Sequence, residues 1–178
     1  MKITEQQFLK DELELMNLTI DNPEFVALAQ EVCDYISQYH PKSVIDFGCG
    51  TGVYSEVLRR NGINVFAQDI FKSHRDYCRQ NYPELKIIAT PKEAELMLFI
   101  EVAEHMTNEE IKLAIFKISP EFILFSSTPE TDENDEQWGH INIKQEEEWI
   151  SFWEELGYKW IHKPKTPTLW ALMLKRKI

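Results

Sequence analysis

The run Val44-Ile45-Asp46-Phe47-Gly48-Cys49-Gly50-Thr51-Gly52 puts three of the chain's six glycines within five positions. A short apolar strand that ends in glycines can turn sharply into a helix, and backbone without side chains can approach a ligand at van der Waals distance. The spacing is GxGxG. It differs from the GxGxxG of dinucleotide sites, and no Gly-Lys-Ser/Thr follows, as a phosphate-cradling loop requires. Asp46 closes the strand with an anion, which repels a diphosphate and suits an amino or sulfonium group. A second acid, Asp69, closes the next apolar run, Ile63-Asn64-Val65-Phe66-Ala67-Gln68, after about the length of one helix and one strand. A carboxylate there can accept from both hydroxyls of a ribose.

Working outward, strands and helices alternate. Asn22-Pro23-Glu24 reads as an N-cap, a first-turn proline and a dipole-compatible acid. The helix it opens carries Phe25, Leu28, Ala29, Val32, Tyr35, Ile36 and Tyr39 on one face and stops at His40-Pro41. Before it, Phe8 to Met16 is also helix-prone. After it the pattern predicts strand 43–47, helix 52–61, strand 63–68, helix 72–81, strands 85–89 and 95–100, helix 108–118, strand 121–127, helix 145–156, and a hairpin of Gly157–His162 with Thr168–Leu174. Alternation of this kind predicts a parallel sheet with helices on both faces. In the last strand both alternating sets are apolar, so it belongs inside the sheet.

The glycine loop and Asp69, the segment Glu101-Val102-Ala103-Glu104-His105 after the fourth strand, and the terminal hairpin occur in the order seen in class I S-adenosylmethionine (SAM) dependent methyltransferases, which residues 40–178 resemble. The resemblance implies an α/β fold: one doubly wound, mostly parallel seven-stranded sheet ending in an antiparallel hairpin. It implies SAM as cofactor, held by Asp46, Gly48, Cys49, Gly50, Asp69, Ile70, Ile100 and Glu101. It also implies that residues 1–40 form a helical cap that closes over the cofactor, with the catalytic domain at 41–178. One departure is plain: few residues separate Ala89-Thr90 from Glu95, so no side chain presents itself to read adenine, and a backbone group near Ala89 or Thr90 is the expected substitute.

Glu101, Glu104 and His105 stand at i, i+3 and i+4, which puts them on one side of the chain if it turns helically there. Two carboxylates and an imidazole suit a divalent ion such as Mg²⁺ or Mn²⁺. The ExxEH string is similar to the metal-binding signature of small-RNA 3′-terminal 2′-O-methyltransferases, in which a further His follows the fifth strand. His140 stands near that place, so Glu101, Glu104, His105 and His140 are the candidate metal ligands. The same string also occurs among methyltransferases of small molecules, where Glu104, His105 and His140 would serve catalysis without a metal. Thr107-Asn108-Glu109-Glu110 is a capping box, which gives the region a purely structural reading as well. An Asn/Asp-Pro-Pro-aromatic tetrapeptide for amino targets is absent after the fourth strand, as is a cysteine nucleophile near it. Cys49 reads as small packing.

The net charge of −11 opposes a phosphate backbone. Residues 130–155 hold ten acids and one lysine, whereas 156–178 hold six Lys or Arg and no acid, so a local basic edge survives at Lys159, Lys163 and Lys165. Trp138, in the acidic loop that leaves the fifth strand, is either a substrate-stacking side chain or a loop anchor. Three scattered cysteines, no signal-like start and no membrane-length apolar run point to the cytoplasm. The expected partner is a small-molecule acceptor, with RNA and a non-catalytic SAM-binding subunit as the alternatives. Oligomeric state is not encoded in any of these features.

Overall fold

Apolar runs between the helices pair side by side into one seven-stranded sheet of order β3-β2-β1-β4-β5-β7-β6. In the computed structural model, which describes residues 4–129, 139–168 and 170–177, the elements run α1 (Glu5–Glu14), α2 (Pro23–Ser37), β1 (Val44–Phe47), α3 (Val53–Arg60), β2 (Val65–Gln68), α4 (Lys72–Asn81), β3 (Lys86–Ile88) and β4 (Leu96–Ile100), followed by a 3-10 turn at Ala103–His105. They continue with α5 (Asn108–Ile118), β5 (Phe122–Ser126), α6 (Glu146–Glu155), β6 (Tyr158–His162) and β7 (Leu172–Arg176). The first five strands are parallel, and β7 runs antiparallel to both β5 and β6. Trp138 and the 130–136 acids lie outside the described residues.

Side-chain alternation splits the core into two layers. Val44, Val65, Ala67, Leu96, Leu98 and Met173 face α2, α3 and α4. Ile45, Met97, Phe99, Ile123, Phe125 and Leu174 face α5 and α6, whose Trp149 and Trp153 are fully buried. Strands covered on both sides read as continuous apolar runs, which is why β4 and β5 are so legible in the sequence. Asn22 caps α2 by accepting from the Glu24 and Phe25 amides, and Thr107 and Glu110 close a reciprocal capping box on α5.

The last strand lies inside the sheet, as its two apolar sets require, with Leu172, Met173 and Leu174 all buried. It begins at Leu172 rather than Thr168, and the Thr168 hydroxyl donates to the Trp170 carbonyl. The edge falls to β6, where Trp160 and Ile161 remain exposed. Helix α2 ends at Ser37, and His40 takes a positive φ just before Pro41.

Candidate active site

The carboxyl ends of β1, β2 and β4 carry the candidate residues, the end at which open α/β sheets bind ligands. The Gly48 and Cys49 amides donate to the Gln68 carbonyl at 2.8 and 2.9 Å, which ties the glycine loop to β2. The Gly50 amide donates to Asp69 Oδ2 at 3.0 Å, and the Phe71 amide to Oδ1 at 2.8 Å. Each Asp69 oxygen therefore keeps acceptor capacity for one further donor. Gly48 has φ +74°, and a Cβ built on it would lie 2.5 Å from Val102 Cγ2. The loop is thus pressed against the segment that follows β4, and no larger residue fits.

Asp46 is buried and accepts from Ser55 Oγ at 2.6 Å. Burial pushes its carboxyl up to about 6, with the Ser55 hydroxyl pulling the other way and Asp69 adding repulsion. Burial also raises Asp69, against the pull of His74 and of the Phe71 and Gly50 amides. Cys49 is buried with its thiol held well above the ordinary range, first by Cys78 and then by burial. It contributes an amide and packing, not a nucleophile. Ile70 is 79% exposed beside Asp69, offering a bare apolar side chain at the mouth of the crevice.

After β4 the chain does not continue as a regular helix. Glu101 takes a positive φ of 53°, its amide donates to the Ser126 carbonyl, and only then does the short 3-10 turn begin. A non-glycine residue in that region is held there by its surroundings. This break removes the helical spacing from Glu101 to the other two: Glu101 Oε2 instead accepts from Thr128 Oγ1 at 2.9 Å. Glu104, His105 and His140 do converge, with one carboxylate oxygen and one nitrogen of each ring all within 4.8 Å of one another. Glu101 stands outside that group. Glu104 is buried and accepts from Ser127 Oγ at 3.0 Å, and burial followed by the Glu101 charge raises its carboxyl to about 8. His140 is delivered by backbone: the Ile141 and Asn142 amides both donate to the Glu104 carbonyl, at 2.8 and 3.0 Å. The His105 and His140 rings meet edge to face at 4.8 Å.

Helix α1 bridges the segment after β2 and the turn after β4. Phe8 packs on Phe71 and His74 at one wall and on His105 at the other, with centroids 5.8 to 6.0 Å apart. Glu12 Oε2 pairs with His74 Nε2 at 3.0 Å, and the other Glu12 oxygen would be 3.2 Å from a Cβ on Gly50. Glu5 accepts from the Ser73 amide at the start of α4. The helix-prone character of this segment is plain in the sequence, yet nothing there reveals that Phe8, Glu12 and His74 meet. The Ser55 and Ser127 partnerships are equally silent, since serine spacing carries no pairing signal.

Residues 22–163 match the family described as methyltransferase domain. The chain belongs to that family and is a SAM-dependent methyltransferase. Among solved structures the fold is similar to magnesium protoporphyrin IX methyltransferase from Synechocystis, at 16% identity over 85% of this chain and 83% of that one, with TM-score 0.65. It is also similar to the N-methyltransferase NodS from Bradyrhizobium japonicum, at 16% identity over 96% and 97%, with TM-score 0.66. A third similar structure is the methyltransferase domain of bacterial CtHen1-C, at 15% identity over 84% and 97%, with TM-score 0.65. No curated protein matches the chain in sequence. No helix among the described residues is long and apolar enough to cross a membrane.

Proposed function

We propose that this chain transfers the SAM methyl group to a small-molecule acceptor, with Glu104, His105 and His140 managing the acceptor's proton. The observation that carries the reading is the convergence of these three side chains directly beyond Val102, the residue against which Gly48 of the cofactor loop is pressed. The residues at the glycine loop fit SAM: Asp46 offers a carboxylate to the amino-acid end, Asp69 has acceptor capacity left for ribose hydroxyls, and Gly48, Gly50 and Gly52 hold the positive φ values that shape the loop. SAM supplies an already activated methyl on sulfur. The protein therefore has to hold donor and acceptor in line, exclude water and take up one proton. His105 and His140 are suited to that last task by residue type, and the Ile141 and Asn142 amides on the Glu104 backbone carbonyl bring His140 beside His105.

Two features favour a compact acceptor. Phe8 bridges from Phe71 to His105, which sets helix α1 beside the three converging side chains and narrows the approach to them. The net charge of −11 disfavours a polyanion. Magnesium protoporphyrin IX methyltransferase and NodS, whose names describe small-molecule and N-methylation chemistry respectively, have this fold. The test is transfer of labelled methyl from SAM across a panel of small hydroxylated, carboxylated and amino acceptors and short single-stranded RNAs. Product on a small acceptor, with little salt dependence, supports the reading.

One observation favours a second reading, a metal-assisted transfer to a ribose 2′-hydroxyl of RNA. Two imidazoles and a carboxylate within 4.8 Å form a donor set that fits Mn²⁺. Glu104, His105 and His140 would hold the ion, which would lower the pKa of a coordinated hydroxyl. Salt-sensitive RNA binding with 2′-O-methyl product, along the Lys159, Lys163 and Lys165 edge, would replace the small-molecule reading by this one.

A further inference from the structure

Two segments carry the converging imidazoles: His105 closes the 3-10 turn after β4, and His140 stands on the stretch that leads from β5 into α6. The Asn142 side chain joins them. Its Nδ2 donates to the Met106 carbonyl at 2.8 Å and to Asn108 Oδ1 at 3.1 Å, both just past His105. Its Oδ1 accepts from Lys144 Nζ, and the same ammonium donates to Asn108 Oδ1 at 3.0 Å. Asn108, Asn142 and Lys144 thus close a ring of hydrogen bonds. The Asn142 amide has one orientation within it, because a carbonyl faces its nitrogen and an ammonium, which can only donate, faces its oxygen. Lys144 is itself held, with Nζ 4.4 Å from the centroid of the Trp149 ring, and Trp149 is fully buried on α6. Burial lowers the Lys144 pKa, against the pull of Glu148. A partly desolvated lysine is a costly anchor for a loop, and what it supplies that an apolar side chain does not is direction.

We propose that Asn142 is a positioning residue for His140: it fastens the His140 segment to the turn that carries His105, and Lys144 fixes the direction of its amide. The Ile141 and Asn142 backbone amides both donate to the Glu104 carbonyl, and two bonds to one atom leave a hinge about it. The side-chain bonds to Met106 and Asn108 attach the segment at a second place along the turn and remove that freedom. The His105 and His140 rings then keep their edge-to-face contact at 4.8 Å. The inference rests on the reading in which these two histidines take up the acceptor's proton, and it adds the residues that hold them in register.

The test needs no acceptor. In the whole chain with isotope-labelled histidines, a nuclear Overhauser effect between the His105 and His140 rings should be present in the wild-type protein, its signals assigned with His105→Asn and His140→Asn. It should be lost in Asn142→Leu, while His40 and His162 keep their wild-type shifts and the affinity for S-adenosylhomocysteine (SAH) stays within about twofold. Asn142→Ala repeats the comparison should Asn142→Leu fail to fold. Lys144→Met should also lose the effect, and Lys144→Arg, which keeps a donor over the Trp149 ring, should retain it. A merely structural tie would lower the melting temperature with the ring contact intact, or would shift all five histidines together. Either result would overturn the proposal, as would absence of the ring contact from the wild-type protein. The proton reading fails separately, if His140→Asn transfers methyl at the wild-type rate.

Discussion

Gly48 and Val102 touch across the cofactor crevice: a Cβ on the glycine would sit 2.5 Å from Val102 Cγ2, at a φ of +74°. The contact fixes the distance between the glycine loop, the proposed cofactor site, and the turn that holds Glu104 and His105. Gly48→Ala meets two separate obstacles, the left-handed backbone and the valine. The backbone term is roughly 1–2 kcal/mol, and Val102→Ala can relieve only the second. The double variant should therefore recover part of the stability lost by Gly48→Ala, measured by urea denaturation, while SAH affinity stays below wild type. Strict additivity of the two single changes would show that the contact does not bear on stability.

Asp46 sets stability against function. Its carboxyl is raised from 3.8 to about 6 by burial, so the fold favours the protonated form. The corresponding stability is fully present below pH 3.8 and is lost as pH rises through about 6. By neutral pH the loss is roughly 3 kcal/mol. Asp46→Asn keeps an acceptor for Ser55 and removes the charge. It should raise the melting temperature of the cofactor-free protein at pH 7.5, have little effect near pH 4, and weaken SAH binding. A lower melting temperature at pH 7.5 would contradict the account of Asp46.

Much of this arrangement is legible in the sequence, for identifiable reasons. Strands β1, β4 and β5 are buried on both faces and announce themselves as apolar runs, and the glycine loop is confined by backbone geometry to one residue type. Glu104 and His105 are marked in the sequence by the ExxEH string and His140 by its place after the fifth strand, but their meeting depends on two amides donating to one carbonyl, which no spacing encodes. The helical alignment expected for Glu101 fails because that residue takes a positive φ before the 3-10 turn. Contacts of α1 with α4 and His105 join positions some seventy to a hundred residues apart. A pattern read along the chain carries no record of them.

Helix α1 should open and close under control of the Glu12–His74 pair. Burial lowers His74, but Glu12, Asp69 and Glu5 outweigh it, so its pKa in the fold is raised above 6.5. The pair then contributes stability that is complete below 6.5 and is lost as pH rises through the raised value. Hydrogen exchange of residues 5–14 should accelerate with rising pH beyond the intrinsic rate, and Glu12→Gln should remove that excess. Bound SAH should slow exchange in the same segment, since the helix closes on the ligand. Protection indifferent to both pH and SAH would mean that α1 is a fixed part of the fold.

His105→Asn and His140→Asn should each lower kcat by about tenfold to a hundredfold while SAH affinity stays nearly constant, as expected for groups that act on the acceptor's proton and not on the cofactor. The small-molecule reading predicts no thermal stabilisation by Mn²⁺. Stabilisation that is lost in His140→Asn would assign the group to a metal and favour the RNA reading.

The central claim is that the glycine loop and Asp69 form a SAM site, and calorimetric titration of SAH and NAD against wild type and Asp69→Ala tests it most directly. SAH should bind and NAD should not, because a diphosphate would meet Asp46 and Glu12 at the loop. Asp69→Ala should weaken SAH by roughly 1–3 kcal/mol, through lost ribose contacts and a released Gly50 amide. Tight NAD binding, or SAH binding unchanged in Asp69→Ala, would contradict the assignment.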